Sequence, residues 1–190
     1  MNRYLTLPYA RIAAMCSNER DLLRRARQGE RDALAVLLGR QREPVFRLCF
    51  HVLRETDAAE DAAQEVLLRA LEKMPGFRAE SEFSTWVYRI ALNYCLELRR
   101  TTERRSALAP PEERVSTADF SGRVDTRLAL ENALDALPEA QRVALILQHW
   151  HGKSYAEIGA ILGLSTNTVK SRLYEARQQL QRAWEAQNEG

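Results

Sequence analysis

Tyr155-Ala156-Glu157-Ile158-Gly159-Ala160-Ile161-Leu162-Gly163-Leu164-Ser165 decides the reading of this chain, because it spells a short helix, a glycine turn and the start of a second helix. Ser154 and Glu157 have the spacing of a capping box, in which each side chain satisfies a backbone N–H that a helix start leaves orphaned. Gly163 can enter the left-handed conformation without a Cβ penalty and so end that helix, and Ser165 caps the next. Ile158, Leu162, Leu164 and Val169 then hold the two helices at a steep angle, which is a helix-turn-helix. On the second helix Val169, Leu173, Ala176 and Leu180 fall inward, leaving Asn167, Lys170, Ser171, Tyr174 and Gln178 on the outer side. A helix presented in this way can enter a major groove with its first residues at base edges, while Lys170, Arg172 and Arg177 lie where phosphates run. A capping box and a glycine also occur in ordinary hairpins with a solvated face; the complete pattern favours DNA.

The chain has 190 residues, 45% of them hydrophobic and 28% charged, enough for one moderate globular domain or two small ones. Few glycines and prolines favour helices, and no glycine-rich phosphate cradle, repeat or alternating strand pattern is present, so the expected fold is all-α. A net charge of +2 is too small to require a polyanion partner, so any such partner must be met by a local patch. Cys16, Cys49 and Cys95 lack CxxC spacing and a histidine arrangement that suggests zinc, and they read as small buried hydrophobes of a reducing cytosol. Met1–Ser17 is interrupted by Arg3, Pro8 and Arg11, unlike a secretory leader, and no stretch is long enough to span a bilayer. Around His51, His149 and His151 nothing resembles a nucleophile elbow or a metalloprotease helix. No catalytic residue, metal or cofactor is therefore expected, and the expected location is cytoplasmic.

Residues 18–100 read as amphipathic helices broken near Gly29, at Arg54 to Thr56, and across Pro75 to Ser81. Residues 101–123, with Pro110-Pro111 and few periodic apolar positions, read as a flexible linker. Helical periodicity resumes over 124–187, with breaks at Leu137-Pro138 and Gly152, so two small helical domains are expected, the second carrying the helix-turn-helix.

The first domain offers two further faces. On Glu82 to Arg100, Phe83, Val87, Ile90, Tyr94 and Leu98 are expected inside, with Trp86, Arg89, Asn93 and Arg100 along one flank. An indole, guanidinium groups and an amide in one row suit unpaired bases and their phosphates, although each alone could be a core cap or a wet surface. Between Glu55 and Leu68, acids occur without a basic residue, and Ala59, Ala63, Val66 and Ala70 form the packing side. Asp61, Gln64, Glu65 and Leu68 then face outward; the helix dipole favours some of these acids, but an outward leucine among them points to docking on a basic protein surface.

Asp61-Ala62-Ala63-Gln64-Glu65-Val66, Phe83 through Asn93, and Tyr155 through Arg177 together resemble the bacterial extracytoplasmic-function sigma factors over almost everything after Ser17. The resemblance implies a protein without catalysis of its own that binds core RNA polymerase at the β′ clamp and β flap. It assigns Asp61, Gln64 and Glu65 to polymerase docking, in agreement with the outward face that also carries Leu68. It implies that Phe77, Arg78, Ser81, Trp86, Arg89 and Asn93 meet the minus-ten element, including a base flipped from the nontemplate single strand, and that residues 101–123 thread toward the polymerase cleft. For duplex DNA at the minus-thirty-five element it implies Asn167, Thr168, Lys170, Ser171, Arg172, Tyr174 and Arg177. An anti-sigma factor is implied too, through a membrane-linked partner and without direct membrane insertion by this chain. Two departures stand out: Glu175 occupies a place where the family often has a basic residue, and residues 1–17 match no motif, leaving Met15 as a possible natural start. The competing expectation is a stand-alone helix-turn-helix regulator binding operator DNA, against which the Trp86 and Asn93 row and the Asp61 face argue.

Overall fold

Asn18 opens the first helix by accepting from the backbone N–H of Arg20 at 3.3 Å, with Glu19 and Asp21 in the first turn and arginines in the last, as the helix dipole prefers. In the computed structural model, which describes residues 18–108 and 133–188, this helix is α1 (Glu19–Arg27). It is followed by α2 (Arg31–Leu53), α3 (Thr56–Lys73), a 3-10 turn (Met74–Gly76) and α4 (Phe83–Leu108). The C-terminal part contains α5 (Glu139–His149), α6 (Tyr155–Leu162) and α7 (Thr166–Asn188). All regular elements among the described residues are thus helical; the breaks at Gly29 and Arg54 fall between helices, and the one at Pro75 to Ser81 begins in the 3-10 turn and ends before α4. The extension at 1–17, the linker residues 109–123 with Pro110-Pro111, and 124–132 of the second expected domain lie outside the described residues.

The chain divides into two compact units, Met1–Tyr94 and Cys95–Gly190. In the first, α1 packs on α2 and α2 on α3, around Leu22, Leu37, Val45, Leu48, Val66, Phe83 and Val87, all fully buried. Ala59, Ala62, Ala63 and Ala70 give α3 a nearly flat inner side, so α2 can approach its backbone closely. Arg54 ends α2 in the left-handed conformation at φ 61°, its N–H donating to Phe50 O at 2.8 Å. In the second unit α7 packs on α5 and α6, burying Val143, Leu147, Ile158, Val169 and Leu173.

Two features of α4 differ from the sequence expectation. Its buried side is Phe83, Val87, Tyr88, Ala91, Leu92 and Cys95, while Ile90, Tyr94 and Leu98 are only half-buried. Small Ala91 and Cys95 are both fully buried, so the inner arc runs through them and not along the row of larger side chains. The helix also continues through Thr101 to Leu108, where an irregular segment was expected. An Arg99 to Glu103 ion pair at 2.8 Å, one turn apart, supports it, and the sequence has no glycine or proline between Arg99 and Leu108.

Candidate nucleic-acid and polymerase interfaces

The helix-turn-helix is built from the local signals in its sequence. Ser154 Oγ accepts from Glu157 N at 3.3 Å, and Glu157 Oε2 accepts from Ser154 N at 2.9 Å, a complete capping box at the start of α6. The Ser154 backbone N–H and then its hydroxyl, with Lys153 adding its charge, hold the Glu157 carboxyl below its ordinary value. Gly163 closes α6 at φ 68°, and Leu164 N–H donates to Gly159 O at 2.9 Å. Gly159 permits this return: a Cβ there would stand 2.7 Å from Leu164 O. Ser165 Oγ then accepts from Thr168 N at 3.1 Å and starts α7.

On α7 the expected division holds for Val169, Leu173 and Ala176, which are buried, and for Asn167, Lys170, Ser171, Tyr174 and Arg177, which are exposed; Leu180, Gln178, Thr168 and Arg172 are half-buried. Tyr174 is 64% exposed, its phenol oxygen accepting only from Gln178 Nε2 of the same helix at 3.3 Å among the described residues, and its ring faces outward. Three cross-helix contacts went unforeseen. Arg177 Nη2 donates to Gln148 Oε1 of α5 at 2.7 Å. The Tyr155 phenol is drawn below its ordinary value by Gln148 and Arg177, with Arg177 and Lys170 adding positive charge, so these side chains form one basic, hydrogen-bonded corner. Glu175 accepts from Gln141 Nε2 at 3.0 Å and from Ser171 Oγ at 3.0 Å, so this acid is engaged within the unit. Gln141 and Gln148 carry no local signal, because their partners lie 34 and 29 positions away in sequence.

The first unit holds the other two faces. Phe77, 4% exposed, packs edge-on to Phe83 at 5.7 Å and tilted against Trp86 at 5.0 Å. Its ring therefore supports the adjoining loop from beneath, and Trp86, half-buried, keeps only part of its indole accessible. In that loop Arg78 is exposed, Ser81 is half-buried, and Ala79 sits at φ 59°, a conformation costly for a side chain with Cβ. Arg89 and Asn93 are exposed one and two turns beyond Trp86.

On α3, Asp61, Gln64 and Leu68 are exposed and Leu68 is 55% so. Leu71, also exposed, extends the apolar strip; its i, i+3 relation to Leu68 was a readable signal that the sequence analysis passed over. Glu65 is paired with Arg69 at 2.7 Å, and the Arg69 guanidinium lies 4.3 Å over the Tyr94 ring, so the acid of this face with an uncompensated surface is Asp61 rather than Glu65. Among the described residues no helix is long and apolar enough to cross a membrane.

Residues 37–105 match the family described as Sigma-70 region 2, and residues 127–180 match Sigma-70, region 4. The chain is 34% identical over 154 residues to the ECF RNA polymerase sigma factor SigM of Mycobacterium tuberculosis, covering 81% of this chain and 78% of the relative. Its fold is similar to that of CnrH in complex with the cytosolic domain of CnrY, with a TM-score of 0.68 at 24% identity over 88% of this chain and 97% of that one. It is also similar to the sigma factor RpoE solved with the anti-sigma factor NepR from Bartonella quintana, with a TM-score of 0.60 at 27% identity, covering 80% and 94%.

Proposed function

The chain belongs to the ECF RNA polymerase sigma factors, non-enzymatic proteins that direct RNA polymerase to promoters, and we propose that its three exposed faces divide that task. In this reading residues 18–100 grip the minus-ten element, 101–123 tether, and 124–187 read the minus-thirty-five element. Asp61, Gln64, Glu65 and Leu68, joined by Leu71, dock on the polymerase β′ clamp, where an apolar strip beside an acid suits a basic partner. The second unit meets the β flap. Arg78, Ser81, Arg89 and Asn93 contact the nontemplate strand, Trp86 flanks it, and Phe77 holds the loop; together they offset the unstacking of a flipped base.

The observation that carries the reading is α7: Val169, Leu173 and Ala176 are fully buried while Asn167, Lys170, Ser171, Tyr174 and Arg177 stand out behind a capped turn. Thr168 and Arg172, half-buried at its margin, position the helix on phosphates. An anti-sigma factor, the kind of partner with which the similar RpoE was solved, would inhibit this chain by covering the α3 face. The protein works in the cytoplasm, where its polymerase is.

The test combines the purified chain with sigma-free bacterial core polymerase and a genomic promoter library. Transcripts with defined starts and two shared upstream elements are expected. Absence of any start-specific transcript would reject the reading.

A further inference from the structure

We infer that Glu175, anchored from the interior by Gln141, fixes the hydrogen-bond polarity of Ser171, so that the reading helix accepts from an exocyclic amino group in the major groove. The inference rests on α7 being the duplex-reading helix and adds which chemical edge of a base Ser171 recognises.

A serine hydroxyl has one proton to donate and two lone pairs, and alone it is an ambiguous reader, able to face either a donor or an acceptor on a base. Here the ambiguity is removed. Ser171 Oγ lies 3.0 Å from Glu175 Oε1, one helical turn along, and an ionised carboxylate only accepts. The proton therefore points at Glu175, in a charge-assisted bond stronger than a neutral one, and the lone pairs remain for the groove. Adenine N6 and cytosine N4 are the amino groups displayed there; guanine O6 and N7 and thymine O4 offer lone pairs against lone pairs.

The carboxylate is itself held. Gln141 Nε2 donates to Glu175 Oε2 at 3.0 Å, and since only the amide nitrogen can donate, the orientation of that amide is fixed by its partner. Gln141 is 8% exposed, and its Oε1 has no hydrogen-bond partner among the described residues. A buried carbonyl left in that condition lowers stability, so an apolar side chain would serve the fold better. The amide is explained by what it does to Glu175: it keeps the carboxylate turned along α7, against Ser171.

The experiment uses the full chain with bacterial core polymerase and a duplex pool randomised across the upstream promoter element. Comparing wild type with Ser171→Ala identifies the base pair that Ser171 contacts. At that pair, duplexes are then made with a purine lacking the 6-amino group or a pyrimidinone lacking the 4-amino group, and separately with a 7-deazapurine lacking the N7 acceptor. Loss of the amino group should weaken wild-type binding about tenfold, at the low end of what one good base contact contributes, and should leave Ser171→Ala unaffected. Loss of N7 should change nothing through Ser171. Glu175→Ala and Glu175→Gln should both relax the base preference at that pair alone, Glu175→Gln less. Gln141→Leu should relax it too while melting at or above the wild-type temperature, which a merely structural glutamine would not do. Dependence of wild-type binding on the acceptor instead of the amino group would overturn the inference, as would an unrelaxed preference in the Glu175 variants. In either case the duplex-reading role of α7 would still stand; a wild-type chain that selects no upstream motif would sink that role and the inference together.

Discussion

Replacing Gly159 with alanine should destabilise the helix-turn-helix, although alanine is the better helix former. Inside α6 the exchange gains about 0.8–1.0 kcal/mol of intrinsic helix propensity. Against this, the new Cβ would stand 2.7 Å from Leu164 O, and both Leu164 C and Thr166 N lie within 4 Å of it. The obstacle is backbone, so no rotamer change relieves it. The same residues are tied by the Leu164 N–H to Gly159 O bond at 2.9 Å, so relief means opening the turn. Overpacking of this kind costs roughly 1–3 kcal/mol, which leaves a net loss of up to about 2 kcal/mol. In a unit of this size each 1 kcal/mol shifts the melting midpoint by about 4–8 °C. Gly39→Ala is the control: it lies within α2 with no atom near its would-be Cβ, so the propensity gain is kept and the first unit should become more stable. Since two units need not melt together, hydrogen exchange at α6 and α7 amides is the proper readout, with α2 amides for the control. A Gly159→Ala chain whose α6 and α7 amides are better protected than in wild type would refute the steric argument.

Ser154→Ala removes the α6 cap and should lower the stability of the second unit by about 1 kcal/mol, read by the same exchange experiment. Because the folded state holds the Glu157 carboxyl below its ordinary 4.5, its contribution is complete above that pH and is lost as pH falls through the lowered value. Acid melting curves of the second unit should therefore be flatter below pH 4.5 in Glu157→Gln than in wild type; parallel curves would count against the capping-box assignment. Asn93→Ala should slow promoter opening, measured by permanganate reactivity, while sparing closed-complex binding, and Lys170→Ala should weaken the closed complex with a shallower salt dependence. Equal effects of the two at both stages would remove the division between single-strand and duplex faces. Leu68→Ser should reduce core polymerase binding by more than tenfold without lowering the melting temperature, since Leu68 is already exposed; unchanged affinity would place the docking face elsewhere.

What could be read directly from residues was local. The capping box, the left-handed glycine and the Ser165 cap each involve groups three or four positions apart, and each is present at the expected place. The alanine side of α3 was equally legible, because small residues at helical spacing leave one packing solution. The inner arc of α4 was not, since Ile90, Tyr94 and Leu98 compete with Tyr88, Leu92 and Cys95 for the interior and only the neighbours' shape decides between them. Glu175 was the other blind spot. In the sequence it stands out only as an acid where the family often has a basic residue, and its actual partners, Gln141 and Ser171, include one from a distant helix.

Trp86 sits against Phe77 and Phe83 at ring separations of 5.0 and 5.7 Å, whereas Trp150 and Trp184 are 40% and 49% exposed. Its indole should therefore emit to the blue of the other two, and with those changed to phenylalanine it becomes a single fluorophore at the edge of the strand-gripping loop. A base arriving there would quench it, giving stopped-flow optics a signal for DNA melting that needs no attached dye.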